Sequence, residues 1–304
     1  MRHPRLLALA QLVRLPNVFT VWADIGMGAL VTGALPEQIV PFGFVLLAST
    51  CLYWAGMVWN DYFDVEQDAK ERSFRPLPSG RIKRSTASII GVLLITAGLA
   101  CAMFADILIM RTALPLLAGC LAMLILAYDY WLKRTWLGPV AMGGCRFFNI
   151  LLGLSLVRDM PAGVGITLAL VVGTYIAGVT WFARTEARTS KQNLLLAAAG
   201  VMLAALLLSL TVPGLAENQG VGTTRTSPFF PYLLVAFGFY VGMPLSRAIA
   251  NPQPARVQAA VKRSLLGLIL LDAILATALA GTEAIVLAVL VFPAIFLGRW
   301  LYST

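Results

Sequence analysis

The sequence predicts an all-α fold: a polytopic transmembrane helical bundle of nine helices, or ten if its last apolar stretch also crosses. Three observations carry this. Apolar residues make up 59% of the 304 and charged residues 12%, about half the charged share of a soluble domain. The apolar residues come in runs near the ~20 that one bilayer crossing needs. The charges fall between those runs, and backbone inside lipid must satisfy its own polar groups, which a helix does. A transmembrane β-barrel would alternate over ~10-residue pieces, and no such alternation is present in the sequence.

The elements follow in order. Residues 1–14 are basic and mildly apolar, and the run after them is a full span, so they do not read as a cleaved leader. Spans lie near 18–35, 41–60, 86–105, 112–131, 138–157, 161–183, 194–212, 229–247 and 264–281, and 284–302 is either a tenth span or a re-entrant piece. Pro36, Pro41, Pro161, Pro213 and Pro228 sit near proposed ends, where the missing N–H costs least. No low-complexity linker or composition break divides the chain, so 1–304 is expected to be a single domain. A faint repeat, span then polar loop, recurs at 41–85 and 161–193.

The connections fall into two groups. One side carries the N-terminal segment and the loops near 61–85, 132–137, 184–193 and 248–263, with Arg299 if the tenth span exists. The other side carries 36–40, 106–111, 158–160, 213–228 and 282–283, whose only bases are Arg111, Arg158 and Arg225. The positive-inside rule makes the basic side, and with it the N-terminus, cytoplasmic. The net charge of +9 therefore reads as topology signals and anion ligands flanking spans, not as a nucleic-acid footprint. Cys51, Cys101, Cys120 and Cys145 lie inside apolar runs without metal-ligand spacing and read as small buried hydrophobes. His3, near the terminus, carries no argument.

The chemistry is concentrated after the second span, in NDYFDVEQD. If the helix continues past the membrane surface, Asn60, Asp64 and Asp68 recur every four residues on one face, with Asp61 beside them. Carboxylates so placed repel unless a cation lies between them. An all-oxygen set suits Mg²⁺, which keeps waters and bridges protein carboxylates to substrate phosphates. The alternative is a solvated acidic helix end. The loop then continues with Arg72, Arg75, Pro76, Leu77, Pro78, Ser79, Gly80, Arg81, Lys83 and Arg84. Acids followed by bases describe a metal-plus-diphosphate site, since arginine grips phosphate oxygens bidentately. Arg81, Lys83 and Arg84 are explained by topology alone.

The NDxxDxxxD string at 60–68 and the RxxRPLxxG string at 72–80 together resemble the first aspartate-rich motif of the UbiA-type membrane prenyltransferases. The resemblance extends over most of the chain. It implies a ring of helices around a central cavity open laterally to lipid. It also implies ionisation of a polyprenyl diphosphate with Mg²⁺ and capture of the allylic cation by an unidentified acceptor. Asn17, in RLPN, resembles the asparagine that faces the metal. Tyr128, Lys133 and Arg134, in YDYWLKR, resemble the tyrosine and basic pair that hold diphosphate. Arg146 and Asn149, in GGCRFFN, lie within the fifth span, and an arginine there should face the cavity or a structural partner such as Asp129.

The second aspartate-rich motif of that family is thinned here. After the sixth span the chain reads WFARTEARTSKQ, in which only Glu186 is acidic, among Arg184, Arg188 and Lys191. Two consequences are open: cationic charge takes over part of the metal's role, or activity is weakened. The ARTEA string resembles the UbiA-like subgroup called EboC, which implies secondary metabolism. Asp24, seven residues after Asn17, and Asp272, in the ninth span, are intramembrane acids able to deprotonate an acceptor or pair with Arg146.

The expected ligand set is Asp61, Asp64 and Asp68 with Asn60 for the metal, joined by Glu186. Arg72, Lys133, Arg134, Arg184, Arg188 and Lys191 serve the leaving group. Asn17, Asp24, Tyr128, Arg146 and Asn149 line the substrate. Trp22, Tyr53, Trp54, Phe147 and Phe148 are candidates to shield a cation. A non-catalytic polyprenyl-lipid carrier needs the phosphate grip without ionisation and is the chief alternative. A cation-coupled transporter fits less well, because the acid cluster lies at the membrane surface.

Overall fold

The structure is a computed structural model that describes residues 4–110, 113–157, 160–184, 190–220 and 227–301. Among the described residues the regular structure is helical throughout. The helices are α1 Pro4–Leu12, α2 Val18–Val31, α3 Ile39–Phe63, α4 Val65–Glu71, α5 Arg84–Ile109, α6 Ala113–Tyr130 and α7 Gly138–Leu154. They continue with α8 Ala162–Ala183, α9 Gln192–Ser209, α10 Val212–Asn218, α11 Phe230–Ala250 and α12 Pro254–Ala280. A 3-10 stretch, Thr282–Leu290, leads into α13, Val291–Gly298.

Each of the nine sequence-predicted spans has its helix. Seven described helices are long and apolar enough to cross a bilayer, with α9 and α10 forming one run of 27 residues. An eighth candidate is the pair α1 and α2, bent by 44° around a 3-10 turn at Leu15–Asn17. α7 and the Thr282–Gly298 piece are apolar but shorter. The bilayer-facing side of the bundle carries large apolar side chains, among them Leu93, Ile107, Met123, Phe239 and Phe292.

Two loops differ from the sequence expectation. The connection at 248–263 is mostly helix. α11 runs to Ala250 and α12 starts at Pro254, leaving a turn of three residues. Proline just inside a helix start loses no useful donor, and 27 residues span ~40 Å, more than the hydrocarbon thickness. The start of α12 therefore carries Arg256, Lys262 and Arg263 on a helix that began well before its apolar stretch. In the same way, α4 occupies part of the polar loop after α3.

Consecutive helices pack side by side, and α12 returns to α2. α2 also packs against α7, where glycines let their backbones meet. A Cβ on Gly28 would lie 2.5 Å from the Gly153 carbonyl carbon. Gly143 likewise abuts Gly173 between α7 and α8. Small residues at such crossings are what permits close helix packing in lipid. The larger apolar core is built mainly by α8 to α12, with Tyr175 and Phe182 fully buried, and a second core joins α3, α5 and α6. A cavity is left between α2, α3, α6 and α7.

Candidate active site

The basic loops converge on one face of the bundle. Arg14 reaches Asn60 and Asp61, Lys133 reaches Asp64, and Arg184 Nη2 donates to the Thr135 carbonyl. The Ser190 amide donates to the Pro252 carbonyl at 3.3 Å. The N-terminal segment and the loops after α3, α6, α8 and α11 are thereby tied into one surface.

The acid motif is nearly continuous helix. α3 ends at Phe63 and α4 begins at Val65, yet the Asp64 amide still donates to the Asn60 carbonyl at 3.1 Å and the Asp68 amide to the Asp64 carbonyl at 2.8 Å. The carboxylates nevertheless separate. Asp61 and Asp68, two turns apart, bracket one guanidinium: Arg75 Nη1 lies 3.3 Å from Asp61 Oδ1 and 2.6 Å from Asp68 Oδ2. Asp64 turns to the other side, with Oδ2 2.7 Å from Lys133 Nζ and Oδ1 3.5 Å from Arg134 Nη2.

Arg75 is held by the RPLPSG segment. Turn bonds run from the Ser79 amide to the Arg75 carbonyl and from the Ile82 amide to the Pro76 carbonyl. Gly80 supplies the left-handed residue at φ +72°. Leu77 and Ile82 then bury themselves against Ala8 and Leu12 of α1 and Val58 of α3. Arg75 is left 7% exposed, whereas Arg72, the base that the sequence argument assigned to the leaving group, is half-buried.

The cavity, of about 160 Å³, opens beside this cluster. Its mouth is polar, with Arg14, Asn60, Tyr128 and Asp129. Its waist is apolar, with Gly56, Met57, Leu121, Ile125 and Met142. Ser49, Tyr53, Arg146 and Asn149 line its far end, deeper along α3 and α7. Arg146 faces the cavity, as an intramembrane arginine should. Its partner is Asp24, at 2.9 Å, and not Asp129. Asp129 instead accepts the Asn60 side-chain amide at 3.0 Å.

Of the other sequence candidates, Asn17 stands at the N-terminal boundary of α2 without a side-chain capping bond and lies beside Tyr53. Tyr128 lines the mouth. Arg184 and Lys191 are exposed at the ends of α8 and α9. Glu186 and Arg188 lie outside the described residues. Of the aromatic candidates, Tyr53 lines the cavity, whereas Trp22 donates to Thr50 and the Phe147 and Phe148 rings meet edge to face.

Sequence reasoning missed Ser49, Arg14 and the site role of Asp129, though a signal existed for two of them. Ser49, Tyr53, Gly56 and Asn60 repeat at helical spacing along one face of α3, and Asp129 lies four residues before Lys133. Arg14 had no comparable signal.

The donor set tests whether a divalent ion suits this site. Carboxylate and amide oxygens are the ligands that a hard cation takes, so the chemistry fits. Among the described residues, however, no three acids converge as a ready cage. Each is held by a base, so an ion would have to compete with Arg14, Arg75 and Lys133 for the same oxygens.

Comparison with known proteins sets the chain in a family. Over 183 residues the chain is 31% identical to a digeranylgeranylglyceryl phosphate synthase of Methanothermobacter thermautotrophicus, covering 59% of this chain and 57% of that one. The match thus spans little more than half the relative's length. A solved structure from work on digeranylgeranylglyceryl phosphate synthase in membranes superposes with a TM-score of 0.65 at 20% identity, covering 90% of this chain and 98% of that one. A UbiA homolog from Archaeoglobus fulgidus bound to Cd²⁺ gives 0.54 at 14% identity, with 83% and 98% covered. The fold is therefore shared with these proteins. The description of the UbiA prenyltransferase family matches residues 18–266, and the chain belongs to that family.

Proposed function

We propose that this protein is an intramembrane prenyltransferase, formed by 1–304 as a single domain, that uses Mg²⁺ to transfer a polyprenyl group from its diphosphate to an acceptor. The observation that carries the reading is the cavity itself. Its mouth holds acids and bases together, and its waist is apolar. Asp61, Asp64 and Asp68, with Asn60, are the residues that would hold the ion, and Glu186 the remaining acid of the thinned second motif. Bound there, a divalent ion supplies Lewis-acid neutralisation of the diphosphate. Lys133, Arg134 and Arg72 take the charge that grows on the leaving-group oxygens as the C1–O bond breaks. Arg75 and Arg14 are freed for the same oxygens when the acids turn to the ion. Arg184, Arg188 and Lys191 add positive charge from the α8–α9 connection. The prenyl chain leaves the apolar waist toward lipid through a lateral opening. The basic face is cytoplasmic. The EboC-like ARTEA string supports a place in secondary metabolism.

Purified protein in lipid nanodiscs, given Mg²⁺ and prenyl diphosphates of graded length with a host lipid extract, should release inorganic diphosphate and yield a prenylated product. Asp64→Ala should lose turnover at least a hundredfold while keeping its helical spectrum, and Glu186→Gln should lose less. A second reading, a carrier for polyprenyl lipids, draws on the acids already being satisfied by bases. A carrier would bind the diphosphate and release none.

A further inference from the structure

The far end of the cavity is organised by charge balance. Arg146 of α7 is 14% exposed at its side chain. Its Nη1 donates to Asp24 Oδ2 at 2.9 Å and its Nη2 to Thr20 Oγ1 at 2.8 Å. The Asn149 side-chain amide donates to the same Asp24 oxygen at 2.7 Å, and its carbonyl oxygen accepts Ser49 Oγ at 2.5 Å. Behind them, Asp272 of α12 meets Asp24, and both are 0% exposed.

With both carboxyls ionised, Asp24 Oδ1 and both oxygens of Asp272 have no donor among the described residues. Two like charges would also face each other in the bundle interior, a costly arrangement. One shared proton removes the repulsion and gives Asp24 Oδ1 a donor, because it makes the facing carboxyls a hydrogen-bonded acid and carboxylate. The groups facing the pair are Arg146 and Asn149 from α7, with Tyr175 of α8 further off. The set is then electrically neutral.

We infer that the far end of the cavity is the acceptor subsite, and that it takes a neutral head group bearing a hydrogen-bond-accepting oxygen, such as a carbonyl or hydroxyl, in preference to an anion. The word acceptor rests on the prenyltransferase reading, whereas the ligand chemistry rests on the charge balance. An apolar tail gains nothing from lying over Arg146, Asn149 and Ser49, so this end suits the polar partner. The diphosphate has its own bases at the mouth, and Ser49 and Asn60 are eleven residues apart on α3, ~16 Å along the axis. The recorded bonds leave guanidinium N–H groups over for a ligand oxygen. An anion would bring in a charge that Asp24 has already balanced.

Benzamide and benzoate have nearly the same shape and differ in charge, so they serve as probes. Their binding to the full chain in nanodiscs is measured by saturation-transfer NMR, without diphosphate or metal. Wild type should bind benzamide about tenfold more tightly than benzoate. Arg146→Met should abolish benzamide binding, and Asp24→Asn, which leaves Arg146 unbalanced, should bring benzoate level or ahead. Infrared spectra should show the carbonyl stretch of a protonated carboxylic acid that disappears in Asp272→Asn. Benzoate binding as tightly as benzamide in wild type, binding of neither probe, or absence of the acid band would overturn the inference. If Asp24→Asn fails to fold, the wild-type ratio and the infrared band decide. Failure of prenyl transfer with the benzamide preference intact would overturn the enzymatic reading and leave a neutral-ligand pocket standing.

Discussion

Arg75 shows how one side chain sets the state of the acid motif. Asp61, Asp68 and Arg75 have side chains 4%, 3% and 8% exposed, so two carboxylates share one guanidinium out of contact with water. Removing one partner of such a group leaves uncompensated buried charge, at a cost of roughly 3–5 kcal/mol. Arg75→Gln should therefore lower the melting temperature of the protein in chelator. Added Mg²⁺ should restore more of it in the variant than in wild type, because an ion can take the vacated position. Scanning fluorimetry with and without Mg²⁺ checks this, and equal shifts in both proteins would remove the metal from between these acids. Arg14, 23% exposed and 3.4 Å from Asp61, sits in better-solvated surroundings, so Arg14→Gln should cost well under half as much. The acids were legible because their spacing is that of a helix and the segment is helical, although Asp64 turns away from the side that Asp61 and Asp68 share. Arg75 was harder to single out from Arg72, because which base turns inward depends on the turns of RPLPSG and on Leu77 and Ile82 finding α1.

At the scale of the helix, the far-end cluster depends on how closely α7 approaches α2 and α8. A side chain on Gly143 would meet the backbone at Gly173, and one on Gly28 the backbone at Gly153. Backbone cannot yield as a side-chain tip can. Gly143→Ala should cost about 1–3 kcal/mol in a denaturant titration in micelles. It should also weaken benzamide binding, by moving Arg146 away from Asp24. Gly200 on α9 has open space around the same position, and Gly200→Ala should be neutral or stabilise by up to ~1 kcal/mol. If the two alanines behaved alike, close approach would not be what holds α7. The order of the apolar helices was legible, because a bilayer sets a helix's length whatever its neighbours, although only seven of the described helices, or eight with the bent α1–α2 pair, reach that length. Hidden were the elements that lipid does not dictate. α4 and the first turns of α12 are polar helix outside the apolar runs. The pairing of Arg146 with Asp24 over Asp129 depends on which helices cross, and no spacing within one span records that.

For the whole molecule, the distribution of bases and the geometry of the loops answer to one constraint. Nearly all Lys and Arg lie in segments that the structure ties to a single face, through Arg14 to Asn60, Lys133 to Asp64, Arg184 to Thr135 and Ser190 to Pro252. An uninterrupted bundle cannot present these loops on opposite sides of a bilayer, so one orientation must hold for all of them. The charge bias then selects which side they face. In the proposed reading, bases near the cavity mouth serve both to orient the chain and to take up the diphosphate. Single cysteines test this in intact cells, in a background where the four native cysteines are replaced. Lys83→Cys, on the basic face, should react with a membrane-impermeant maleimide only after permeabilisation. Glu217→Cys, exposed at the end of α10 on the opposite face, should react at once. The reverse pattern would put the cavity mouth outside the cell and exclude a cytoplasmic pool of prenyl diphosphate as its source. Labelling of both sites in intact cells would mean that the two faces are not separated by the bilayer, and the nine-span topology would have to be redrawn.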